Sequence, residues 1–454
     1  MNKPFNSLDS LYTNQWIQAE LSYIRGIIHT LLDQEAQASP LIAPALQGIK
    51  SSSGKMLRPL LCLLGARCAG GKEYDYDSLG VGPSVKELQK LEKTSQGWIL
   101  ALKEPITTNK YSTSLEPWKK SPPFTGGLPN SLYLVAAGIE LLHLATLVHD
   151  DVIDESHTRR GQPAIWKQIG RRHAVLLGDL LMSLCFALVS HGAGVETGQI
   201  LSGMVRVMAR CEFLQAQERI DFRSSLAHPS RRHYNRVITG KTALLFALAL
   251  SSGATEMTRY MQQSSSDQQV SVHQDKLNQH ADLPFLQHLR RGGYCLGTGF
   301  QIQDDMLDLL GNTSFGKPLG QDLRDRQITL PLIEALLASS ESSNGSDSHK
   351  DNNKHRNREY EDDSSHGLTQ EDLKKKKQEL IVRIETFQQG DESVLPSITK
   401  LIAQLGGFAK SDQRSTELLN QARKEFDLAC NLQETPGTKE LLDLLMVFLL
   451  HRKF

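Results

Sequence analysis

The sequence predicts an all-α protein, and three observations carry that prediction. Apolar residues return at helical spacing from the start, as in Ile17, Leu21, Ile24, Ile28 and Leu31. Neither the two-residue alternation of a half-buried strand nor a strand–helix–strand rhythm occurs along the chain. Two apolar helical stretches, around 132–149 and 289–310, each carry a group of three aspartates at one shared spacing.

Composition narrows the function classes. Among 454 residues, 51 Lys plus Arg balance 51 Asp plus Glu, so no net charge draws nucleic acid. Length allows two or three domains. Three stretches, however, read as insertions into one domain over 1–454: about 72–128, 254–283 and 339–377. They mix Gly, Pro, Ser, Gln and charge with little periodicity, and the third, with Lys374 to Lys377 in a row, is expected to be disordered. The six cysteines (Cys62, Cys68, Cys185, Cys211, Cys295 and Cys430) lack CxxC spacing and read as buried thiols in a reducing compartment. The N-terminal segment has neither an apolar signal core nor an Arg-rich leader, and runs such as 444–450 are too short for a bilayer. A soluble, cytoplasmic protein with no transmembrane segment is expected.

Taken in order, the first amphipathic helix leads to Ser-Ser-Ser-Gly-Lys-Met-Leu-Arg-Pro, where Lys55 and Arg58 open an apolar helix. Cations are disfavoured by the backbone dipole there, so a bound anion such as a diphosphate gives them a purpose. The next helix, about 132–149, ends in Asp150, Asp151 and Asp154. Asp150 and Asp154 share a face with Asp151 beside them, and such crowded carboxylates call for a hard cation. One such group alone reads first as a solvated acidic helix end. The second copy, Asp304, Asp305 and Asp308, removes that reading: two clusters facing each other would hold a diphosphate through bridging metal ions.

Thr146 and His143 lie one and two turns before Asp150 with small Ala145 on the flank, although His143 alone reads as well as a satisfied core histidine. The stretch 174–190 is apolar nearly all round, with Phe186, Leu188 and Val189 far from its start; core packing explains any one of them. Lys241 and Thr242 sit inside an apolar helical stretch. Their Gly-Lys-Thr is no nucleotide loop, because the earlier glycine is missing, and the lysine needs an anionic partner. Gln301 precedes the second cluster, and Lys317 follows it on a glycine-flanked loop.

Together, Gly54-Lys55 with Arg58-Pro59, the Asp150 cluster followed by Arg159-Arg160, Lys241-Thr242-Ala243, and 301–308 followed by Gly316-Lys317 resemble the trans-type polyprenyl diphosphate synthases. The resemblance covers the chain apart from the three insertions. It implies antiparallel helices around a large central cavity, usually in a homodimer, sometimes in a heteromer. It also implies roles. Lys55, Arg58, His143 and Arg160 would bind isopentenyl diphosphate. Arg159, Lys241, Thr242, Gln301 and Lys317 would bind an allylic diphosphate primer, held by both aspartate clusters through Mg²⁺, three ions per site. Two departures stand out: Arg326-Gln327 where many relatives have Gly-Lys, and Cys211 where Gly is common.

The implied chemistry ionises the allylic C–O bond, meets the cation with apolar walls and the oxygens of Thr242 and Gln301, and adds one five-carbon unit per cycle. Short-chain relatives block the cavity with bulky residues one turn before the first cluster. Ala145 and Thr146 stand there, so a long-chain product for quinone side chains is expected, with Phe186, Leu188 or Val189 setting the floor. The competing readings are a geranylgeranyl-type short-chain synthase, a terpene cyclase and a non-catalytic subunit. A cyclase would not repeat DDxxD at Asp304, and a non-catalytic subunit would not keep both clusters.

Overall fold

The computed structural model describes residues 15–51, 54–70, 128–159, 162–193, 195–265, 283–311, 319–339 and 369–450. Helices α1 (Gln15–Ala38), α2 (Ala43–Ser51), α3 (Leu57–Ala69) and α4 (Asn130–Ile153) lead to a small antiparallel hairpin, β1 (Thr158–Arg159) with β2 (Gln162–Pro163). Next come α5 (Ile165–Ile169), α6 (Arg171–Gly192), α7 (Val195–Ile220), α8 (Phe222–Ala227) and α9 (Arg231–Ile238). A π turn, Thr239–Ala243, joins α9 to α10 (Leu244–Ser265), and α11 is Pro284–Leu310. The chain closes with α12 (Gln321–Arg324), α13 (Leu330–Leu336), α14 (Gln370–Gln388), α15 (Leu395–Gln404), α16 (Gly407–Gln433) and α17 (Pro436–Leu450). The fold is all-α, as the sequence predicts.

The chain divides into two compact units. The first is built from Met1–Arg206, Leu244–Gly297 and Asn420–Arg452. In it, α4 is apolar over most of its circumference and packs against α6, α3, α1 and α10. Helices α3 and α10 meet backbone to backbone. A Cβ on Gly65 would strike the Leu250 carbonyl, and one on Gly253 would strike the Cys62 carbonyl. A buried ion pair ties three helices of this unit: Arg67 on α3 donates to both Glu20 oxygens on α1 at 2.6 Å, and the Tyr133 hydroxyl on α4 donates to Glu20 at 3.2 Å. Each charge is compensated where it is buried, which the interior demands.

The second unit is built from Val207–Ala243, Thr298–Leu419 and Lys453–Phe454. Here α14 packs on α15 and α12, and α13 packs on α15 and α9. Ser230 caps α9, its hydroxyl accepting the His233 N–H at 3.2 Å.

Two insertion boundaries move. Residues 254–265 continue α10, with Ala254 and Met257 wholly buried, so helix and core reach past the polar composition that follows. Residues 369–377 are ordered by a capping box: the Thr369 hydroxyl accepts the Asp372 N–H at 3.1 Å, and Asp372 accepts the Thr369 N–H at 3.3 Å. Lys374 to Lys377 fall between buried Leu373 and Leu380 on this amphipathic helix, so their run is helical rather than disordered. The rest of the three stretches, 72–127, 266–282 and 340–368, lies outside the described residues. None of the six cysteines forms a disulfide, and only Cys295 is more than slightly exposed. Burial raises the Cys185 thiol to about 12.

The expectation of no helix able to cross a membrane needs correction. Among the described residues, three are long and apolar enough by length and composition: Asn130–Ile153, Arg171–Ser190 and Arg231–Gln263. The first and third are mostly buried inside the protein, which is what an all-round apolar helix requires. The apolar window of Arg171–Ser190 is only 39% buried.

Candidate active-site groups

In the first unit, the chemistry gathers where α4 ends. Asp150 and Asp151 belong to its last turn, and Asp154 is its C-cap, its N–H donating to the Asp150 carbonyl at 2.7 Å. The three carboxylates are not equivalent. Asp150 and Asp154 are half-buried, whereas Asp151 is only 2% exposed and is clasped by Arg159. The Arg159 Nε–H donates to both Asp151 oxygens at 2.8 and 2.9 Å, and Nη2 lies 2.7 Å from Oδ1. Arg159 reaches that position from β1, paired with Gln162. Trp166 steadies the turn, donating its indole N–H to the Ser156 carbonyl at 2.7 Å with Lys167 and Arg171 over its ring. The end of α4 is tied to α6 by His149, whose Nε2 lies 3.0 Å from the Val175 carbonyl oxygen.

Further back on α4, His143 is half-buried and Ala145 wholly buried. The Thr146 hydroxyl donates to the His143 carbonyl at 2.8 Å. On α6, Phe186 is half-buried, while Leu188 and Val189 are core residues. Gly138 on α4 faces Val189 and Cys185. Lys55 is exposed just ahead of α3, and Met56, its N-cap, has a positive φ of 51°. Arg58 lies in the first turn with its guanidinium 5.5 Å from the Phe246 ring centroid.

In the second unit, the π turn carries Lys241 and Thr242. Such turns shift a helix by one residue and recur at functional sites. The anion a lysine needs in this apolar setting is Glu212 on α7, 3.1 Å from Nζ. The departure at Cys211 has a structural counterpart in Gly240: any Cβ there would collide with the Cys211 side chain, so the larger residue on one helix is matched by glycine on the other.

The second aspartate cluster is likewise unequal. Asp305 is 4% exposed and takes two donors: the Tyr234 hydroxyl at 2.6 Å on Oδ2 and the Gln301 amide at 2.9 Å on Oδ1. The Gln301 carbonyl in turn accepts the Thr242 hydroxyl at 2.6 Å. Burial pushes the Asp305 carboxyl up to about 7, with its two hydrogen bonds opposing that rise. Asp308 accepts the backbone N–H groups of Gln321 and Asp322 at 3.0 and 3.1 Å, and so caps α12. Asp304 is half-buried. Arg326, one of the two departures, has φ 55° and turns toward α14, donating to Gln388 at 3.1 Å.

Arg160 and Lys317 lie outside the described residues. Tyr234 and Glu212 are groups that the sequence reading passed over. The only signal for Tyr234 was its place two turns before Lys241 among the charged residues of Arg231–Ile238, and Glu212 carried none beyond following Cys211.

Among the described residues, no three His, Cys, Asp or Glu side chains form a ready metal-ligating group. The donor chemistry nevertheless fits a hard divalent cation. Asp150 and Asp154, one turn apart and half-buried, offer only carboxylate oxygens, and Mg²⁺ takes one or two protein carboxylates and completes its shell with phosphate oxygens and water.

Residues 124–363, more than half of the chain, match the family model described as Polyprenyl synthetase. The chain is 32% identical over 223 residues to a short chain isoprenyl diphosphate synthase of Methanothermobacter thermautotrophicus, spanning 48% of this chain and 60% of that protein. It is 34% identical over 203 residues to heptaprenyl diphosphate synthase component 2 of Geobacillus stearothermophilus, spanning 44% of this chain and 55% of that one. The matches therefore span little more than half the length of these curated relatives. A polyprenyl synthase from Caulobacter crescentus, solved with calcium and isoprenyl diphosphate, has the same fold, with TM-score 0.64, 23% identity and 100% of both chains covered.

Proposed function

The chain belongs to the polyprenyl synthetase family, and from that premise we propose that it condenses isopentenyl diphosphate repeatedly onto an allylic diphosphate to make a long-chain polyprenyl diphosphate. The observation that carries the proposal is the pair of DDxxD segments at Asp150 and Asp304, each on a buried apolar helix and each with flanking carboxylates of hard-oxygen character.

The chain's own residues then divide the work. Asp150, Asp154, Asp304 and Asp308 would hold divalent ions, Mg²⁺ by the chemistry of the donors, and those ions would bind the allylic diphosphate. Bound Mg²⁺ would neutralise charge that develops on the leaving diphosphate. Lys241 adds a positive charge there, and Arg159, by clasping Asp151, fixes the turn that carries the first cluster. Lys55, Arg58 and His143 bind the diphosphate of isopentenyl diphosphate and orient its double bond. When the allylic C–O bond breaks, the carbon left positive is met by the oxygens of Thr242 and Gln301. The isopentenyl double bond attacks it, and the departed diphosphate takes the proton lost from the adduct. No protein nucleophile is needed.

The small side chains one turn ahead of Asp150, Ala145 and Thr146, support a product of seven or more isoprene units. Incubating the purified chain with farnesyl diphosphate, radiolabelled isopentenyl diphosphate and Mg²⁺, and sizing the products, tests the reading. Labelled chains of at least seven units support it. Release of diphosphate without condensation makes the protein a cyclase, and products no longer than four units make it a short-chain synthase.

A second copy of the chain is the proposed partner for α6, where Val175 and Leu176 are 42% and 63% exposed on a helix of nearly unbroken apolar character. The relative named as a component favours a further possibility, that this chain is the catalytic half of a heteromer. Activity of the chain alone excludes that requirement.

A further inference from the structure

We propose that Tyr234 is a positioning residue that sets the polarity of the Thr242 hydroxyl, acting through Asp305 and Gln301; the proposal rests on the prenyl-transfer reading above. The relay lies wholly in the second unit. It joins α9, the π turn and two positions one turn apart on α11. Tyr234 Oη donates to Asp305 Oδ2 at 2.6 Å, Gln301 Nε2 donates to Asp305 Oδ1 at 2.9 Å, and Thr242 Oγ1 donates to Gln301 Oε1 at 2.6 Å.

Each link allows one orientation. Asp305 accepts from both the Tyr234 hydroxyl and the Gln301 amide, and the two ends of a glutamine amide are opposite in kind, NH₂ donating and oxygen accepting. With Asp305 at one end, the amide must turn its NH₂ there and its oxygen toward Thr242. The threonine hydroxyl must then give its proton to Gln301. What Thr242 presents on its other side is its lone pairs, the negative end of the O–H dipole. A positive allylic carbon is stabilised by that orientation and opposed by the reverse one.

Tyr234 is what fixes the first link. Both it and Asp305 are buried, 5% and 4% exposed, so a carboxylate oxygen left without the phenol would lack a donor of comparable strength. Freed of that bond, Asp305 can rotate, Gln301 can flip, and the hydroxyl loses its fixed direction. The relay acts on charge development rather than on substrate affinity, and this separates it from a plain packing role. The residue that sets the polarity of Thr242 is thus eight positions before it in the chain and never has to touch the substrate.

The test uses the full chain with inorganic diphosphate and Mg²⁺, and measures by calorimetry two unreactive probes. One is an ammonium analogue carrying positive charge where the allylic cation forms. The other is an uncharged-tail thiolodiphosphate that resists ionisation. Tyr234→Phe is expected to weaken the ammonium probe about tenfold, leave the thiolodiphosphate within about twofold, and lower kcat about tenfold with both KM values little changed. Thr242→Val should show the same selective loss, Thr242→Ser should restore it, and the double variant Tyr234→Phe/Thr242→Val should lose no more than either alone. Equal binding of both probes by wild type and Tyr234→Phe overturns the relay, as does equal weakening of both or full additivity in the double variant. Wild-type protein that binds neither probe overturns the prenyl-transfer reading itself.

Discussion

Asp151 and Asp305 hold the same middle place in two like motifs, and each is turned onto donors of the protein itself. Replacing the flanking and the middle residues should therefore do different things. Asp150→Asn should leave the unfolding free energy within about 0.5 kcal/mol and cut prenyl transfer by at least about a hundredfold. Asp151→Asn should leave Arg159 without its ion partner and cost about 1–3 kcal/mol of stability. Urea unfolding beside initial rates separates the two. Spacing made the clusters legible in the sequence, because carboxylates at i, i+1 and i+4 must share one side of a helix. It could not show which would turn inward, since Arg159 comes from a later hairpin and Tyr234 from 71 residues before Asp305. Another carboxylate gives a pH dependence away from these clusters: burial raises Glu218 to about 7, with nearby Arg219 opposing. The folded state binds this proton more tightly than the unfolded chain, so the contribution is present at acid pH and is lost as pH rises from about 4.5 to about 7. Glu218→Gln should flatten the fall in Tm across that window and raise Tm at pH 8, and an unchanged pH profile would contradict the assignment.

Helices α14 and α10 show at the next scale how local chemistry overrides composition. Four consecutive lysines and a Ser-rich approach argued against order, yet Thr369 and Asp372 cap the helix and Leu373, Leu380, Ile384 and Phe387 give it a buried stripe. That stripe was present in the sequence. The charge run between its members obscured it, because composition is averaged over a window while a helix uses only one face. Thr369→Ala should cost about 1 kcal/mol in urea unfolding, with the loss confined to the α14 amides in hydrogen exchange. The contact of α10 with α3 was not legible at all. A glycine opposite a carbonyl leaves no mark on periodicity, and only the packed backbones give Gly253 its role. Gly253→Val should destabilise the protein by about 3 kcal/mol through backbone displacement.

For the whole molecule, the fold class and both aspartate clusters were readable because a buried apolar helix and a repeated carboxylate spacing are local patterns. The apolar length of three helices was missed because polar residues interrupt their longest runs without removing their overall apolarity. The α6 face belongs to this scale, since Leu176 is 63% exposed: Leu176→Glu should shift sedimentation from the proposed dimer to monomer at micromolar concentration, and an unchanged profile would remove α6 as the interface. Chain length belongs here too. Ala145→Phe should shorten the product at a cost of about 1–3 kcal/mol, because position 145 is wholly buried. The claim beneath all of this is that both aspartate clusters serve one reaction. Its most direct test is the single-turnover rate of the first condensation, measured with excess folded enzyme for wild type, Asp150→Asn and Asp304→Asn. The account predicts that each substitution alone slows that step at least about a hundredfold; a variant that condenses at the wild-type rate would contradict it.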